Sequence, residues 1–536
     1  MSKRSTGTPQ RPPAGGPAKT RVGSRTLARQ ARQLQARGER RRPPRAPLLR
    51  IPSFDPLSML RRVPRAAWLC ALVAFVNAAS WSFVSPPFQV PDEPSHFAYV
   101  KQLAETGRFP TTGLEKYSSE EEATLSALHY NNVRLGPANQ TISTSAQQRK
   151  LEQQLELGNR LPKKGSQSAG VATSEPPLYY ALETIPYGLA SGGTLLDRLQ
   201  LMRLFSALWA GLTALFAFLF LREALPSVRW AWTVGAMCVA LCPLLGFTSG
   251  AVTPDSMLFA VSAALLYCIA RAFRRGLTTR SAIATGLVIA TGFLTKLNFV
   301  GIAPGAYLAL GILAVRGVRR SGRDAVRAPA IAAAIGCVPV LLAEFIGKNS
   351  SAEVTGGASG TATGSLLDKL DYIWQLYLPR LPGTVNDFPG LSTARQIWFD
   401  GYVGRFGWLD TYFPGWVYTV ALILAIAIVL LCARSLLAGR AALRARLPEL
   451  AVYAVMTVGL MGLIGAASYT LFPVQAASFG QARYLLPLLP LFAAVLALAA
   501  RGAGRRWGPV AGALFVVVFL GHDVFSQLQV IARYYG

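Results

Sequence analysis

Apolar runs follow one another along this chain, each roughly as long as the 17 to 25 residues that an α-helix needs to cross a hydrocarbon core of about 30 Å. Inside lipid every backbone N–H and C=O must be satisfied within the fold, so open runs of this kind can span only as helices. Of the 536 residues, 52% are hydrophobic and only 15% are charged, which excludes a string of soluble domains. The expected fold class is an all-α polytopic membrane protein. Its spans are drawn at 66–85, 204–221, 230–248, 254–270, 281–296, 299–315, 328–346, 416–433, 449–471, 484–500 and 508–526.

The formal charge of +28 suggests nucleic acid until it is mapped. Residues 1–65 hold 17 Lys and Arg against Glu39 and Asp55, a composition expected to give a disordered basic tail. The other clusters lie between apolar runs: Arg271/Arg274/Arg275/Arg280, Arg316/Arg319/Arg320/Arg323/Arg327, Arg434/Arg440/Arg444/Arg446 and Arg501/Arg505/Arg506. That is the pattern of the positive-inside rule, with anionic lipid as partner and no nucleic acid. With a cytoplasmic N-terminus, eleven spans put every cluster inside and the C-terminus outside. Segment 177–194 is also apolar, but Pro186 and Gly188 interrupt it, and a full span there would reverse every later loop. It is expected to be re-entrant or to lie on the outer surface. The six cysteines sit in apolar runs and read as small core residues. The first run lacks a small-residue cleavage site, so it reads as an uncleaved span.

This layout divides the chain into a basic cytoplasmic tail (1–65), a transmembrane core (66–346) that includes a long outer loop (86–176), a second outer loop (347–415) and C-terminal transmembrane helices (416–536). The first loop should hold helices over 93–106, stopped by Gly107, from Ser119 with Glu120, Glu121 and Glu122 in its first turn, and from Ser145 to Gly158. The second opens on a Gly/Ser/Thr-rich stretch (355–365). It closes on Phe406, Trp408, Tyr412, Phe413, Trp416 and Tyr418, an aromatic belt for a membrane interface.

Seven ionisable residues fall at outer span ends: Asp255, Lys296, Glu344, Lys348, Arg483, His522 and Asp523. One polar site at the outer interface is the economical reading. A secondary transporter would place such groups near the midplane, between paired interrupted helices, and no repeat is visible.

The box Pro91-Asp92-Glu93-Pro94-Ser95-His96-Phe97 stands at that interface. Asp92 reads as the N-cap of helix 93–106, and equally as a carboxylate held rigidly enough for a general base, with Glu93 beside it. Asp92 and His96, four apart, leave a divalent metal open, although HExxH and a third local ligand are missing. Farther on, Glu175-Pro176-Pro177-Leu178-Tyr179-Tyr180 stiffens the chain where it re-enters the membrane. Tyr179 and Tyr180 suit an interfacial anchor or a sugar face. Asp255, in Thr253-Pro254-Asp255, caps a span or serves the site. Lys296 and Arg483, the latter beside Tyr484, either snorkel to headgroups or hold a phosphate.

In order and spacing these motifs resemble the GT-C membrane glycosyltransferases, whose Asp-Glu box follows the first span. Protein O-mannosyltransferases and aminoarabinose lipid A transferases are relatives. The Pro-Pro element, Thr253-Pro254-Asp255 and Leu294-Thr295-Lys296 are similar, as are a PDEPxHF box and a late RYLLP found in a branch of bacterial membrane proteins. The mannosyltransferases have His where this chain has Glu175, and their loop between boxes is shorter. The resemblance implies a GT-C-like bundle of about eleven helices and an inverting transfer from a polyprenyl-phosphate sugar donor to an extracytoplasmic glycan, lipid or protein acceptor. Asp92 would be the base, with Glu93 as its catalytic partner. His96, Glu175, Tyr179, Asp255, Lys296, Arg483 and Tyr484 would bind substrate, with no metal ligand assigned. The alternatives are a transporter or flippase of lipid-linked glycans and a metal-dependent lipid hydrolase.

Overall fold

The first apolar run becomes a 20-residue helix, α1 (Arg65–Val84), in the computed structural model. The structure describes residues 63–110, 117–136, 139–142, 144–159, 170–346, 365–380, 388, 391–475 and 480–536. Residues 1–62 of the expected basic tail, Lys348 and the Gly/Ser/Thr-rich stretch as far as residue 364 lie outside the described residues.

Outside α1 the chain builds α2 (Glu93–Thr106), α3 (Ser119–Ala127), α4 (Tyr130–Leu135) and α5 (Ser145–Gly158). Local chemistry sets their ends. Gly107 at φ 65 closes α2, and capping boxes start α3 (Ser118 with Glu121) and α5 (Thr144 with Gln147). The re-entry segment is α6 (Leu178–Leu189), 12 residues and so roughly 18 Å long, too short to cross a core of about 30 Å. It leads into α7 (Leu195–Ala224), the 30-residue helix at the centre of the bundle, which packs on α1 and on Pro254–Arg275.

Among the described residues nine helices are long and apolar enough to cross a membrane, and ten do so if Arg229–Ala240 and Pro243–Ser249, bent by 54°, form one span. The chain is an all-α polytopic membrane protein. The span expected at 281–296 is helix Thr279–Thr295, 17 residues long, and with the bent pair it makes eleven. A contact between the first loop and the last helix bears on the number. Thr141 donates its N–H to the Tyr534 carbonyl (2.9 Å) and Arg533 Nη1 donates to the Asn139 carbonyl (2.6 Å), so the C-terminus lies beside the first loop. A chain that starts on the far side of α1 and ends there must cross an odd number of times. Nine and eleven satisfy that and ten does not.

Small residues let the helices approach closely, as van der Waals packing in lipid requires. A Cβ on Gly459 would overlap the Gly301 carbonyl, and one on Gly250 would meet the Ala78 carbonyl of α1 at 2.7 Å. Buried ion pairs fix both ends of α7. At one end Arg203 holds Glu93 and Arg198 holds Glu120, which also takes Lys101 Nζ at 2.6 Å. At the other, buried Glu223 takes Arg274 at 3.0 Å and Arg275 at 2.6 Å. The aromatic belt of the second loop divides. Tyr412 and Trp416 are exposed, whereas Phe406 and Phe413 are buried, Phe406 packing on Trp81 and Phe247. The cause is a two-stranded hairpin, Arg405–Phe406 against Thr411–Tyr412, that folds those rings inward.

Candidate active site

Asp92 closes the turn before α2 at φ 68, left-handed backbone that Asp tolerates better than most residues. It occupies the N-cap position, yet its side chain makes no capping bond. This corrects the capping expectation: a left-handed residue aims its carboxylate away from the helix N–H groups. The carboxylate instead accepts from Arg483 Nη2 at 2.6 Å, while Arg483 Nη1 donates to the Pro91 carbonyl at 3.3 Å. The Asp92 side chain keeps 30% of its surface open and that of Arg483 only 6%.

Behind this pair lies a charge cluster. Asp255 Oδ2 is 3.9 Å from Arg483 Nε, and its Oδ1 is 3.1 Å from Lys296 Nζ. Lys296 also faces Glu175 at 3.5 Å, and Glu175 accepts from the Leu297 N–H at 3.2 Å. Burial raises the Glu175 carboxyl above its usual range, opposed by Lys296. His96 pairs through Nδ1 with the Tyr180 hydroxyl at 2.9 Å. Burial, and then the charge of Lys296, holds its imidazole well below the ordinary value, so it is neutral near pH 7. Tyr180 in turn stacks on Tyr99, centroids 3.7 Å apart. The Arg483 guanidinium lies 5.3 Å from the Tyr484 ring. Seven residues expected at the site thus come together: Asp92, His96, Glu175, Asp255, Lys296, Arg483 and Tyr484.

Glu93 and Tyr179 do not join them. Glu93 is fully buried, with Arg203 Nε on Oε1 at 2.7 Å and Nη2 on Oε2 at 2.5 Å. The N–H groups of Phe88 and Val252 complete its shell at 3.0 and 3.1 Å. Glu93, expected as a catalytic partner, is here bonded on both oxygens, and these bonds tie the turn before α2 to α7 and to the start of helix Pro254–Arg275. Tyr179 bonds the Ser206 hydroxyl at 2.7 Å, and Ser206 donates to Glu183 at 2.7 Å, where burial pushes the carboxyl up to about 8. One step along α6 turns a side chain by about 100°, so Tyr180 faces the cluster and Tyr179 turns away. His522 reaches the Val403 carbonyl at 2.5 Å and Asp523 takes Trp81 and Asn77, both away from the cluster.

Two cavities border the Asp92–Arg483 pair, one at each residue, and a third adjoins the second. The first, about 630 Å³, has Asp92 in its wall, beside α3, α4 and Trp408. The second, about 210 Å³, is bordered by Arg483, Arg405, Gln396 and Gln481 together with Leu244 and Phe247. There Arg405 Nε and Gln481 Oε1 are buried with no hydrogen-bond partner among the described residues. Arg405 was not foreseen; it lies in a loop without a motif. The third, about 330 Å³, meets the second at Ala482 and is lined by Trp398, Tyr402, Leu485, Leu489 and Phe492. Its chemistry is that of a hydrocarbon chain. No three His, Cys, Asp or Glu side chains gather as a metal site among the described residues. Asp92 and His96, the pair left open for a divalent metal, are turned to Arg483 and Tyr180, so the residues present do not fit one.

A family model described as "Predicted membrane protein (DUF2142)" matches residues 75–492. Among solved structures, the chain is similar to ArnT from Cupriavidus metallidurans bound to undecaprenyl phosphate, with a TM-score of 0.43 and 14% identity, over 87% of this chain and 74% of that one. A comparison with curated proteins finds none that matches.

Proposed function

We propose that this chain, which belongs to the DUF2142 family of predicted membrane proteins, is a GT-C-type glycosyltransferase that moves a sugar from a polyprenyl-phosphate donor to an extracytoplasmic acceptor with inversion. The observation that carries the reading is the Asp92–Arg483 pair: the carboxylate borders one cavity and the guanidinium borders the next. A base and an anion-binding cation thus stand side by side at the border of two cavities, so that a phosphate drawing Arg483 to itself frees the carboxylate to take a proton.

In this reading the isoprenoid chain lies in the apolar third cavity and its phosphate in the second, against Arg405 and Arg483. The donor sugar bridges toward Asp92. An acceptor hydroxyl gives its proton to Asp92 as its oxygen bonds the anomeric carbon, and the bond from that carbon to the phosphate oxygen breaks. The negative charge that remains on the lipid phosphate is met by Arg483 and Arg405 in a water-poor setting, where such contacts are strong. Asp255, Glu175 and Lys296 position Arg483 from behind without touching the substrate. Glu93 positions the turn that carries Asp92. The N-terminus is cytoplasmic and the site faces outward.

The test supplies labelled polyprenyl-phosphate sugar to membrane vesicles holding the full chain and follows label into envelope glycan, lipid or protein. Asp92→Asn should abolish transfer. Undiminished transfer by that variant would overturn the assignment of the base. Label that only changes leaflet, still lipid-linked, would favour a flippase.

A further inference from the structure

The cavity over Asp92 has a chemistry of its own. We infer that its occupant is a neutral carbohydrate chain, a polyhydroxylated acceptor entering from the aqueous side; this rests on the transferase reading above. At about 630 Å³ the cavity falls within the roughly 300–1,000 Å³ of small-molecule sites.

Its walls pair aromatic rings with amides. Tyr130 and Trp408 set aromatic rings in the wall, Trp408 with one face already under Arg134, and exposed Asn131 and Asn132 offer donors and acceptors for hydroxyls. Its charges balance. Asp92 is met by Arg483, and Glu122 stands in the same walls as Arg134. An anionic acceptor would meet Asp92 and Glu122 head-on. An acyl chain would strip water from Asn131, Asn132 and Glu122 and return no hydrogen bond, which is costly.

Backbone geometry marks the same place. Asp92 (φ 68) and His129 (φ 51) both border this cavity, and they are two of the four non-glycine residues with positive φ among the described residues. Strained backbone of this kind gathers at ligand sites. The walls are also fixed in advance. Glu120, held by Lys101 and Arg198, pins α3, and the Arg134 guanidinium lies 3.8 Å over Trp408, joining α4 to the second loop. Such preorganisation favours weak, hydrated ligands such as sugars, because little ordering remains to be done on binding.

The experiment is isothermal titration of the full chain in lipid nanodiscs with short neutral gluco-, manno-, galacto- and arabino-oligosaccharides, alongside phosphorylated mannan fragments and a Ser/Thr-rich peptide. At least one neutral oligosaccharide should bind saturably. Ser126→Trp, which fills the cavity from an exposed position on α3, and Asn132→Asp should each weaken it by about tenfold or more, as expected when a hydroxyl loses its partner. Thermal unfolding of both variants checks that they fold. Binding by the phosphorylated or peptide probes alone, by no neutral member, or with equal strength in both variants would overturn the inference. No donor is present, so the result stands apart from transfer: an active Asp92→Asn would defeat the catalytic reading and leave this one intact.

Discussion

Arg483 donates to Asp92 across 2.6 Å although 391 residues separate them in the chain. The pair joins the first long loop to the start of the penultimate apolar span, and every proposed chemical step runs through it. In the proposed transfer this arginine has two partners: the carboxylate it holds at rest and a phosphate entering from the second cavity. Its flat fork is suited to both in turn.

Arg483→Gln should lower kcat for sugar transfer by about 10² to 10³-fold, the usual cost of removing a preorganised group that meets developing charge. Arg483→Lys should recover part of that loss, because charge returns without the fork. Steady-state turnover of labelled donor in nanodiscs reads both, and equal rates for Gln and wild type would remove Arg483 from the mechanism.

Arg405 has a separable part. Its Nε is buried with no hydrogen-bond partner among the described residues, so the side chain keeps a donor for a ligand. Arg405→Gln should raise KM for the lipid-linked donor by about tenfold while kcat changes little, the signature of lost ground-state binding. A fall in kcat at constant KM would contradict this.

Glu93 and Arg203 should behave as structure. Removing one partner of a buried ion pair costs about 3–5 kcal/mol, because the other charge is left uncompensated. Glu93→Gln and Arg203→Met should each lower the unfolding midpoint strongly. The double variant should be less damaged than the sum of the two, as coupled residues are. Thermal unfolding in nanodiscs decides it.

How much of this was legible beforehand can be argued from individual residues. Asp92, Lys296 and Arg483 were readable because ionisable groups at span ends on one side need a common reason. The partner of Glu93 was not foreseen: Arg203 sits just ahead of an apolar run, and an arginine there signals a buried carboxylate somewhere else in the chain. Tyr179 and Tyr180 could not be told apart, since adjacent positions differ only in helix register, which packing decides. Arg405 had no local signal. Its relevance comes from a hairpin that sets it in the wall of the cavity that Gln481 and Arg483 also line, a placement no linear pattern records. The bundle itself followed from run length, with the 17-residue Thr279–Thr295 as the marginal span.

His96 makes a pH prediction. Burial, with the charge of Lys296, depresses its folded value, so the native ring stays neutral where the unfolded one begins to protonate near pH 6.5. Stability from this group is fully present above about pH 6.5 and is lost as pH falls toward the folded value, by up to about 1.4 kcal/mol per pH unit. His96→Gln should flatten the acid side of an unfolding-midpoint profile. An unchanged slope would show that the ring is not protected.

Topology has a direct readout. Gly536→Cys should react with an impermeant maleimide in intact cells, as should a cysteine at Ser145, because the C-terminus lies beside the first loop. Arg320→Cys, in an arginine cluster, should react only after permeabilisation. Labelling of residues 145 and 536 on opposite sides would break the odd count of crossings.

The long helix α7 has a consequence for the membrane around the protein. At 30 residues it extends about 45 Å, against a hydrocarbon core of about 30 Å. Arg198 and Arg203 near one end and Glu223 near the other are all buried and paired, so neither end can slide without stranding a charge. A helix clamped in this way sets a fixed height between the reacting groups and the arginine-rich face. Differences in bilayer thickness must then be absorbed by the lipid, which thins or thickens at the rim of the protein. The Asp92–Arg483 pair is held at one level relative to the arginine-rich end of α7 whatever membrane surrounds it, as a surveyor's datum is held above shifting ground.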